Sequence, residues 1–246
     1  MYHFFVTPEQ IGEKEIRIEG GDVNHIRNVL RMVPGEQITV SSGADKKEYR
    51  CEISSVEEDS VTAKIMWVQE ADAELPSRIC LFQGLPKGDK MELIIQKAVE
   101  LGVYEIVPVA TRRAVVKLDK KKEESKLKRW NGISESAAKQ SKRMIVPRIK
   151  HVMTFKEAVK YADEYKVKLI PYELAQGMEK TRDIFGKIQP GDSVAVFIGP
   201  EGGFDEQEIA LAEEAGILPI TLGKRILRTE TAGMAVLSVL MFGLES

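Results

Sequence analysis

The sequence predicts two folded parts, a small N-terminal β-barrel and an α/β region built on a parallel sheet. Short strand-like segments follow one another at regular spacing from His3 to about Gln69, which is typical of small barrels. After residue 78, strands alternate with helices, which favours a parallel sheet covered on both faces. The 246 residues, 43% hydrophobic and 30% charged, are enough for one substantial core or two smaller ones.

The predicted barrel has five strands, HFFV, KEIRIEG, EQITVSSG, KEYRCEISSV and SVTAKIMWVQ. One helix is predicted at residues 22–32, where apolar residues recur at helical spacing. The inward residues would be Val23, Ile26, Val29 and Leu30, and the outward ones His25, Arg27, Asn28 and Arg31. A basic helix on a small barrel suits RNA, and the alternative is an amphipathic helix that plugs one end of the barrel.

The polar segment QEADAELPSR at residues 69–78 lacks periodicity, so we predict that it links two domains, 1–70 and 77–246. The strands of the second domain are RICLFQGL, EIVPVAT, VKLIPYE, DSVAVFIG and ILPITLG. Its helices are predicted at 90–101, 124–141, 155–163, 206–215 and 231–242.

Several classes of protein are excluded by composition. Two cysteines and three scattered histidines provide neither a disulfide framework nor a ligand cluster, so no metal is expected. No apolar run is long enough to cross a bilayer, and the N-terminus lacks the pattern of a signal peptide. We therefore expect a cytoplasmic protein without a membrane partner.

Charge is distributed unevenly along the chain. Residues 112–150 contain 14 Lys and Arg and four acids, a net charge of +10, although the whole chain carries −2. The mixed Lys and Glu run at 120–129 is also what a solvated helix face would show. The one-sided charge of the whole segment favours a polyanion as partner.

The stretch FIGPEGGFDEQEI at residues 197–209 indicates a strand end, a glycine-rich turn and a helix that Asp205 could cap. Its spacing is neither that of a dinucleotide fingerprint nor that of a P-loop. Glu201 would repel a phosphate, so a neutral or cationic ligand fits better. Since glycines let the backbone approach a flat base or ribose, S-adenosylmethionine is one ligand among several that would suit the turn.

Three strand ends are expected to meet where open α/β sheets bind ligands. They are residues 171–173, the glycine turn, and LGKRILRTETA at 222–232. The last segment precedes a helix so apolar that it must be buried. Thr229 or Thr231 would cap that helix and Glu230 would complement its dipole, which leaves Arg225 and Arg228 unexplained.

Four motifs in order resemble a known family. They are HIRNVLRMVPGE (25–36), GLPKGDKMELIIQKAVELGV (84–103), IGPEGGF (198–204) and LGKRILRTETA, with RRAVVKL (112–118) and QSKRMIVP (140–147) between them. Over essentially its whole length the chain is similar to bacterial 16S ribosomal RNA uracil-N3 methyltransferases of the SPOUT superfamily. The resemblance implies that a methyl group is transferred from S-adenosylmethionine to N3 of one specific uridine in the small ribosomal subunit.

The resemblance also implies a fold and a set of cofactor residues. The fold would be a SPOUT-type parallel sheet with a C-terminal trefoil knot, a rare exception to unknotted topology, plus a PUA-like N-terminal barrel. The protein would be an obligate homodimer. The cofactor wall would contain Tyr172, Glu173, Ile198, Gly199, Pro200, Glu201, Gly202, Gly203, Leu222, Gly223, Ile226, Leu227, Arg228, Thr231 and Ala232.

The reaction itself sets chemical requirements. Uracil N3 carries a proton, and its lone pair is delocalised into two flanking carbonyls, so the proton must leave as the methyl group arrives. Arg228 and Arg113 could stabilise the resulting anion, or alternatively position a phosphate. Glu201 or Glu230 could accept the proton if burial raised its pKa, and for Glu230 the alternative is an acid that complements a helix dipole.

RNA contacts are expected from cations and polar groups of the basic segments, so binding should weaken steeply with salt. The candidates are His25, Arg27, Arg31, Arg112, Arg113, Lys117, Gln140 and Arg143. Two other functions remain open from the sequence. One is a non-catalytic ribosome assembly factor that kept the fold, and the other is a dinucleotide-dependent enzyme, although GLPKGDKME stands where its fingerprint should be.

Overall fold

The computed structural model describes residues 1–173, 175 and 177–245. They form two compact units, Met1–Glu74 with Ala138–Val146, and Leu75–Ala137 with Pro147–Ser246. The first unit thus includes a later stretch of chain, 138–146, which lies outside the sequence-based boundary at residue 70.

The first unit is a five-stranded sheet with one short helix. Its order is β1-β3-β4-β5-β2, in which β1 and β3 are parallel and the other pairs antiparallel. Alternate residues of every strand are apolar and pack into one core with Val23 and Ile26. The elements are β1 (Tyr2–Phe5), β2 (Glu15–Glu19), α1 (Gly21–Asn24), β3 (Gln37–Ser41), β4 (Lys47–Val56) and β5 (Ser60–Glu70).

The prediction of one regular helix at 22–32 is only partly right. After α1 the chain forms a π-helical turn, His25–Val29, in which the Leu30 amide donates to the His25 carbonyl at 2.9 Å. The wider turn shifts the helical periodicity. Ile26 therefore stays buried, whereas Val29, expected to face the core, is 64% exposed.

The second unit is a parallel sheet in the order β12-β10-β11-β6-β7-β8, with β9 paired to β7. Every residue of β6 and β11 is buried, as expected for central parallel strands. The strands are β6 (Ile79–Gly84), β7 (Glu105–Ala110), β8 (Arg148–Ile149), β9 (Met153–Thr154), β10 (Val167–Pro171), β11 (Val194–Ile198) and β12 (Leu218–Ile220).

Six α-helices of the described chain follow β6. They are α2 (Lys90–Glu100), α3 (Lys120–Gln140), α4 (Phe155–Tyr161), α5 (Met178–Gly186), α6 (Glu206–Glu214) and α7 (Thr229–Leu244). Helix α3 begins four residues before the predicted start, and α5, β8 and β9 were not predicted. Asp205 caps α6 as predicted, with its carboxylate accepting from the Gln207 amide. None of the helices in the described ranges has the length and apolarity needed to span a bilayer.

Candidate cofactor pocket and active site

A pocket of about 570 Å³ lies at the carboxyl ends of three neighbouring strands, β10, β11 and β12. The segments 171–173, 198–204 and 221–229, which end or follow these strands, form most of its wall, together with Lys90, Arg113 and Ala232. The sheet order explains this arrangement, because β10 lies between β11 and β12 and the strands run parallel.

The pocket brings together nearly all of the residues predicted for the cofactor. Of that set, only Thr231 is missing from the wall, and it lies exposed in the first turn of α7. Of the four candidate catalytic residues, Arg228, Arg113 and Glu201 line the pocket and Glu230 does not. The wall also contains residues that were not predicted, namely Lys90, Pro171, Phe204, Thr221, Lys224, Arg225 and Thr229.

The glycine turn after β11 packs closely against the end of β6. A Cβ atom added to Gly84 would lie 2.6 Å from Pro200 Cδ, and one added to Gly199 would lie 3.2 Å from Gly203 Cα. Gly203 adopts a φ of +66°, and its amide donates to the Pro200 carbonyl at 2.9 Å. Close approach of the backbone therefore explains Gly84 and Gly199, and the left-handed conformation explains Gly203.

The hydroxyl of Thr229 joins α7 to the glycine turn. It donates to the Gly199 carbonyl at 2.6 Å and accepts from Gln83 Nε2 at 2.9 Å, and Thr229 is only 5% exposed. The prediction that Thr229 or Thr231 caps α7 is therefore wrong, because Arg228 occupies the N-cap position and makes no side-chain cap. The threonine instead satisfies a buried amide and a buried carbonyl.

Glu201 is held at the edge of the pocket by two neighbouring donors. Its carboxylate accepts from the Lys90 ammonium at 2.9 Å and from the Lys87 amide at 3.2 Å. Burial raises the pKa of Glu201, but the hydrogen bonds from Lys90 and from backbone amides outweigh it and leave the pKa below its ordinary value. The condition set for Glu201 as a general base, a raised pKa, is therefore not met.

Lys90 also approaches Glu230, which lies in the first turn of α7. The Lys90 ammonium lies 3.5 Å from Glu230 Oε2, an oxygen that is buried without a hydrogen-bond partner among the described residues. Hydrogen bonding to Glu201 raises the pKa of Lys90. The sequence analysis did not predict Lys90 as a residue of the site. A lysine in the first turn of a helix is disfavoured by the helix dipole, and this unusual position could have indicated that Lys90 has carboxylate partners.

The two arginines after β7 lie against the chain of the glycine turn and α6. Arg113 Nη1 donates to the Gly202 carbonyl at 3.2 Å. The Arg112 amide donates to Glu208 at 2.9 Å, and its guanidinium pairs with Asp205 at 3.3 Å. Arg113 therefore lies at the pocket, whereas Arg112 is bound mainly to the start of α6.

Arg143, predicted as an RNA contact, is buried in the fold. It is 4% exposed, and its Nε donates to Glu74 Oε2 at 3.1 Å. Glu74 also accepts from the backbone amides of Met144 and Ile145 at 3.0 and 3.1 Å. The prediction of Arg143 as an RNA contact is therefore wrong, because the side chain forms a buried ion pair. The other candidates, His25, Arg27, Arg31, Arg112, Arg113, Lys117 and Gln140, are exposed.

Comparison with known proteins identifies the family to which the chain belongs. The family described as "RNA methyltransferase domain" matches residues 73–241, and the one described as "RNA methyltransferase PUA domain" matches residues 18–66. The ribosomal RNA small subunit methyltransferase E of Bacillus subtilis is 39% identical over 249 residues, covering 99% of this chain and 96% of the relative. The chain belongs to the ribosomal RNA small subunit methyltransferase E family.

Members of this family and similar proteins have been solved with the cofactor. The ribosomal RNA small subunit methyltransferase E of Neisseria gonorrhoeae, bound to S-adenosyl methionine, is similar with a TM-score of 0.87 and 34% identity, covering 98% of this chain and 97% of that one. A methyltransferase of Legionella pneumophila in complex with S-adenosylmethionine has a TM-score of 0.87 and 37% identity, covering 97% and 96%. The first unit is accordingly PUA-like. The second unit is an α/β fold with a parallel sheet.

Proposed function

We propose that the chain transfers the methyl group of S-adenosylmethionine to N3 of one specific uridine in 16S ribosomal RNA of the small subunit. Family membership confirms the predictions of a ribosomal RNA methyltransferase and of S-adenosylmethionine as its cofactor. The uridine and its N3 atom are part of the proposal. The observation that carries it is the pocket at three strand ends, with an ionised Glu201 in a glycine turn.

The residues of the pocket fit this cofactor. A volume of about 570 Å³ lies in the range of small-molecule sites. The backbone at Gly203, where an added Cβ would meet no atom within 4 Å, suits close approach of a flat adenosine, and Glu201 provides a negative charge for a cationic ligand. We assign the remaining wall residues of the predicted set, including Tyr172, Glu173, Ile226 and Ala232, to the cofactor on the same basis.

The cofactor supplies a methyl group bound to a positively charged sulfur. The work left to the chain is to hold uracil N3 in line and to stabilise the negative charge that forms when N3 loses its proton. Arg228 and Arg113 line the pocket and are exposed, so their guanidinium groups can donate to the uracil carbonyl oxygens. We propose both as catalytic residues.

Neither candidate carboxylate is well placed to take the proton. Glu201 has a lowered pKa, and Glu230 lies outside the wall beside Lys90. We propose that the N3 proton leaves to solvent while the two arginines stabilise the anion. Glu201 then acts as a fixed negative charge, and Glu230 as an acid at the start of α7.

A homodimer and a trefoil knot belong to the same proposal. Helix α7 exposes Val239 and Phe242, the latter by 86%, and an apolar helix face of this kind suits a second copy of the chain. We propose the knot on the strength of the family resemblance; in the fold, the hydrogen bond between Thr229 and Gly199 holds the start of α7 against the turn after β11. Exposed Arg27, Arg31 and Lys117 are proposed as phosphate contacts.

The decisive experiment measures methyl transfer from radiolabelled S-adenosylmethionine to small ribosomal subunits that lack the modification, with naked 16S ribosomal RNA alongside. Mass spectrometry then identifies the modified nucleoside. We expect 3-methyluridine. A different methylated nucleoside would refute the N3 assignment, and cofactor binding without transfer to either substrate would refute the RNA target.

A further inference from the structure

An added residue in β5 turns a tryptophan away from the core of the first unit. Val61, Ala63 and Ile65 alternate on the core face of this strand, so a regular strand would place Trp67 on the same face. The register between β4 and β5 shifts between Ile65 and Trp67. Met66 therefore pairs with no residue of β4 and forms a β-bulge.

The bulge pairs Trp67 with Arg50 of β4, whereas Ile65 pairs with the buried Cys51. Because neighbouring residues of β4 face opposite sides, Trp67 and Arg50 lie on the outer face of the sheet. Trp67 is 47% exposed, with Met66 and Val68 beside it exposed to a similar degree. Bulges that re-aim a side chain are common at functional sites.

Arg50 gives the exposed indole a cationic neighbour. Its guanidinium carbon lies 5.1 Å from the centroid of the Trp67 ring, within the range of a cation–π contact. Arg50 Nε is buried and has no hydrogen-bond partner among the described residues. The pair thus presents an aromatic plane together with a guanidinium whose Nε lacks a hydrogen-bond partner in the described chain.

We infer that Trp67, supported by Arg50, is a stacking platform for an unpaired base of the RNA substrate. Unpaired bases stack on tryptophan and arginine planes, and the arginine can in addition donate to a base edge or a phosphate. An apolar protein partner would offer the Arg50 guanidinium no hydrogen-bond acceptor, whereas RNA offers base edges and phosphates. The inference rests on the proposed RNA substrate and places a contact in the first unit one residue beyond the matched PUA segment.

The two tryptophans of the chain make a direct test possible, because Trp130 is only 3% exposed. In Trp130→Phe protein, a single-stranded oligouridine should quench the fluorescence of Trp67. Trp67→Ala should weaken oligouridine binding by about 5- to 100-fold, whereas Trp67→Phe should retain most of the affinity. The loss should be similar at low and moderate salt, since stacking releases few counterions.

Tyr2→Ala serves as the control, since Tyr2 is an equally exposed aromatic residue of the same sheet. In the methyl-transfer assay, Trp67→Ala should raise the KM for RNA and leave kcat unchanged. Absence of quenching together with an unchanged KM would overturn the platform, as would a change of oligomeric state in Trp67→Ala with normal RNA affinity. Quenching in a protein that transfers no methyl group would support the platform and refute the proposed reaction instead.

Discussion

The ammonium of Lys90 lies 2.9 Å from Glu201 and 3.5 Å from Glu230, so one cation connects the first turn of α2 with the glycine turn and the first turn of α7. A lysine at the first residue of a helix is disfavoured by the helix dipole, and two converging carboxylates offset this cost. The arrangement fixes Glu201, the negative charge of the proposed cofactor pocket.

Replacing Lys90 by Met should therefore weaken cofactor binding. Glu201 would keep the Lys87 amide but lose its charged partner, and the glycine turn would be held less firmly. Because the ion pair is partly exposed, we expect an affinity loss of about 3- to 10-fold for S-adenosylmethionine, measured by calorimetry. Lys90→Arg should recover most of it, and Lys97→Met on the same helix is the matched control. Unchanged affinity in Lys90→Met would contradict this role.

Glycine at position 84 should be required for the pocket. An alanine Cβ would lie 2.6 Å from Pro200 Cδ and 2.7 Å from its nitrogen, so the glycine turn must shift. We expect at least a tenfold loss of cofactor affinity in Gly84→Ala, with destabilisation of about 1–3 kcal/mol typical of overpacking. Gly132→Ala is the control, since the new methyl group meets no atom within 4 Å. Normal cofactor binding by Gly84→Ala would show that the turn is not part of the site.

The pocket could be predicted from the sequence because its residues occur in contiguous motifs at strand ends. Gly199 and Glu201 are neighbours in the chain, and the parallel sheet brings the other motifs to the same edge. Partners that are distant in sequence could not be predicted in this way. Arg143 is paired with Glu74, 69 residues earlier, and only the folded chain shows that this cation is buried.

The ion pair between Arg143 and Glu74 should stabilise the first unit. Each side chain is 5% exposed, so Arg143→Met would leave a buried carboxylate without its charged partner. We expect a loss of about 3–5 kcal/mol in the free energy of unfolding, measured by urea titration. The double variant with Glu74→Gln should recover part of the loss, whereas Gln140→Ala should have little effect. If Arg143→Met lowered RNA affinity at full stability, the predicted RNA contact would be restored.

The positions of the regular strands could be predicted from the sequence, but the local interruptions of helix and strand could not. The π-helical turn moves Val29 to the surface, and the β-bulge at Met66 does the same for Trp67. Both depend on one extra residue in a repeating pattern, which hydrophobic periodicity alone does not reveal.

Stability should depend on the protonation of His3. The pKa of His3 is lowered from 6.5 to about 4, mainly by burial of the imidazole. The two ring nitrogens lie 2.9 Å from Thr39 Oγ1 and 3.0 Å from Ser41 Oγ. Between these two pKa values the unfolded chain binds the proton and the folded chain does not, so stability is full above pH 6.5 and falls as the pH drops toward 4. Allowing for partial exposure, the loss should be about 2 kcal/mol. In His3→Gln, thermal melts over this range should show a smaller dependence than in wild type or in His25→Gln.

The exposed end of α7 should hold the proposed dimer together. Phe242 is 86% exposed and Val239 is 52% exposed, so the two side chains leave an apolar surface at this end of the helix. A carboxylate in the centre of an apolar interface would have to be desolvated without a partner. Phe242→Asp should therefore sediment as a monomer at concentrations where the wild type sediments as a dimer. Val115→Asp, an equally apolar substitution site outside α7, should leave the dimer unchanged. A dimer that persists in Phe242→Asp would exclude this face as the interface.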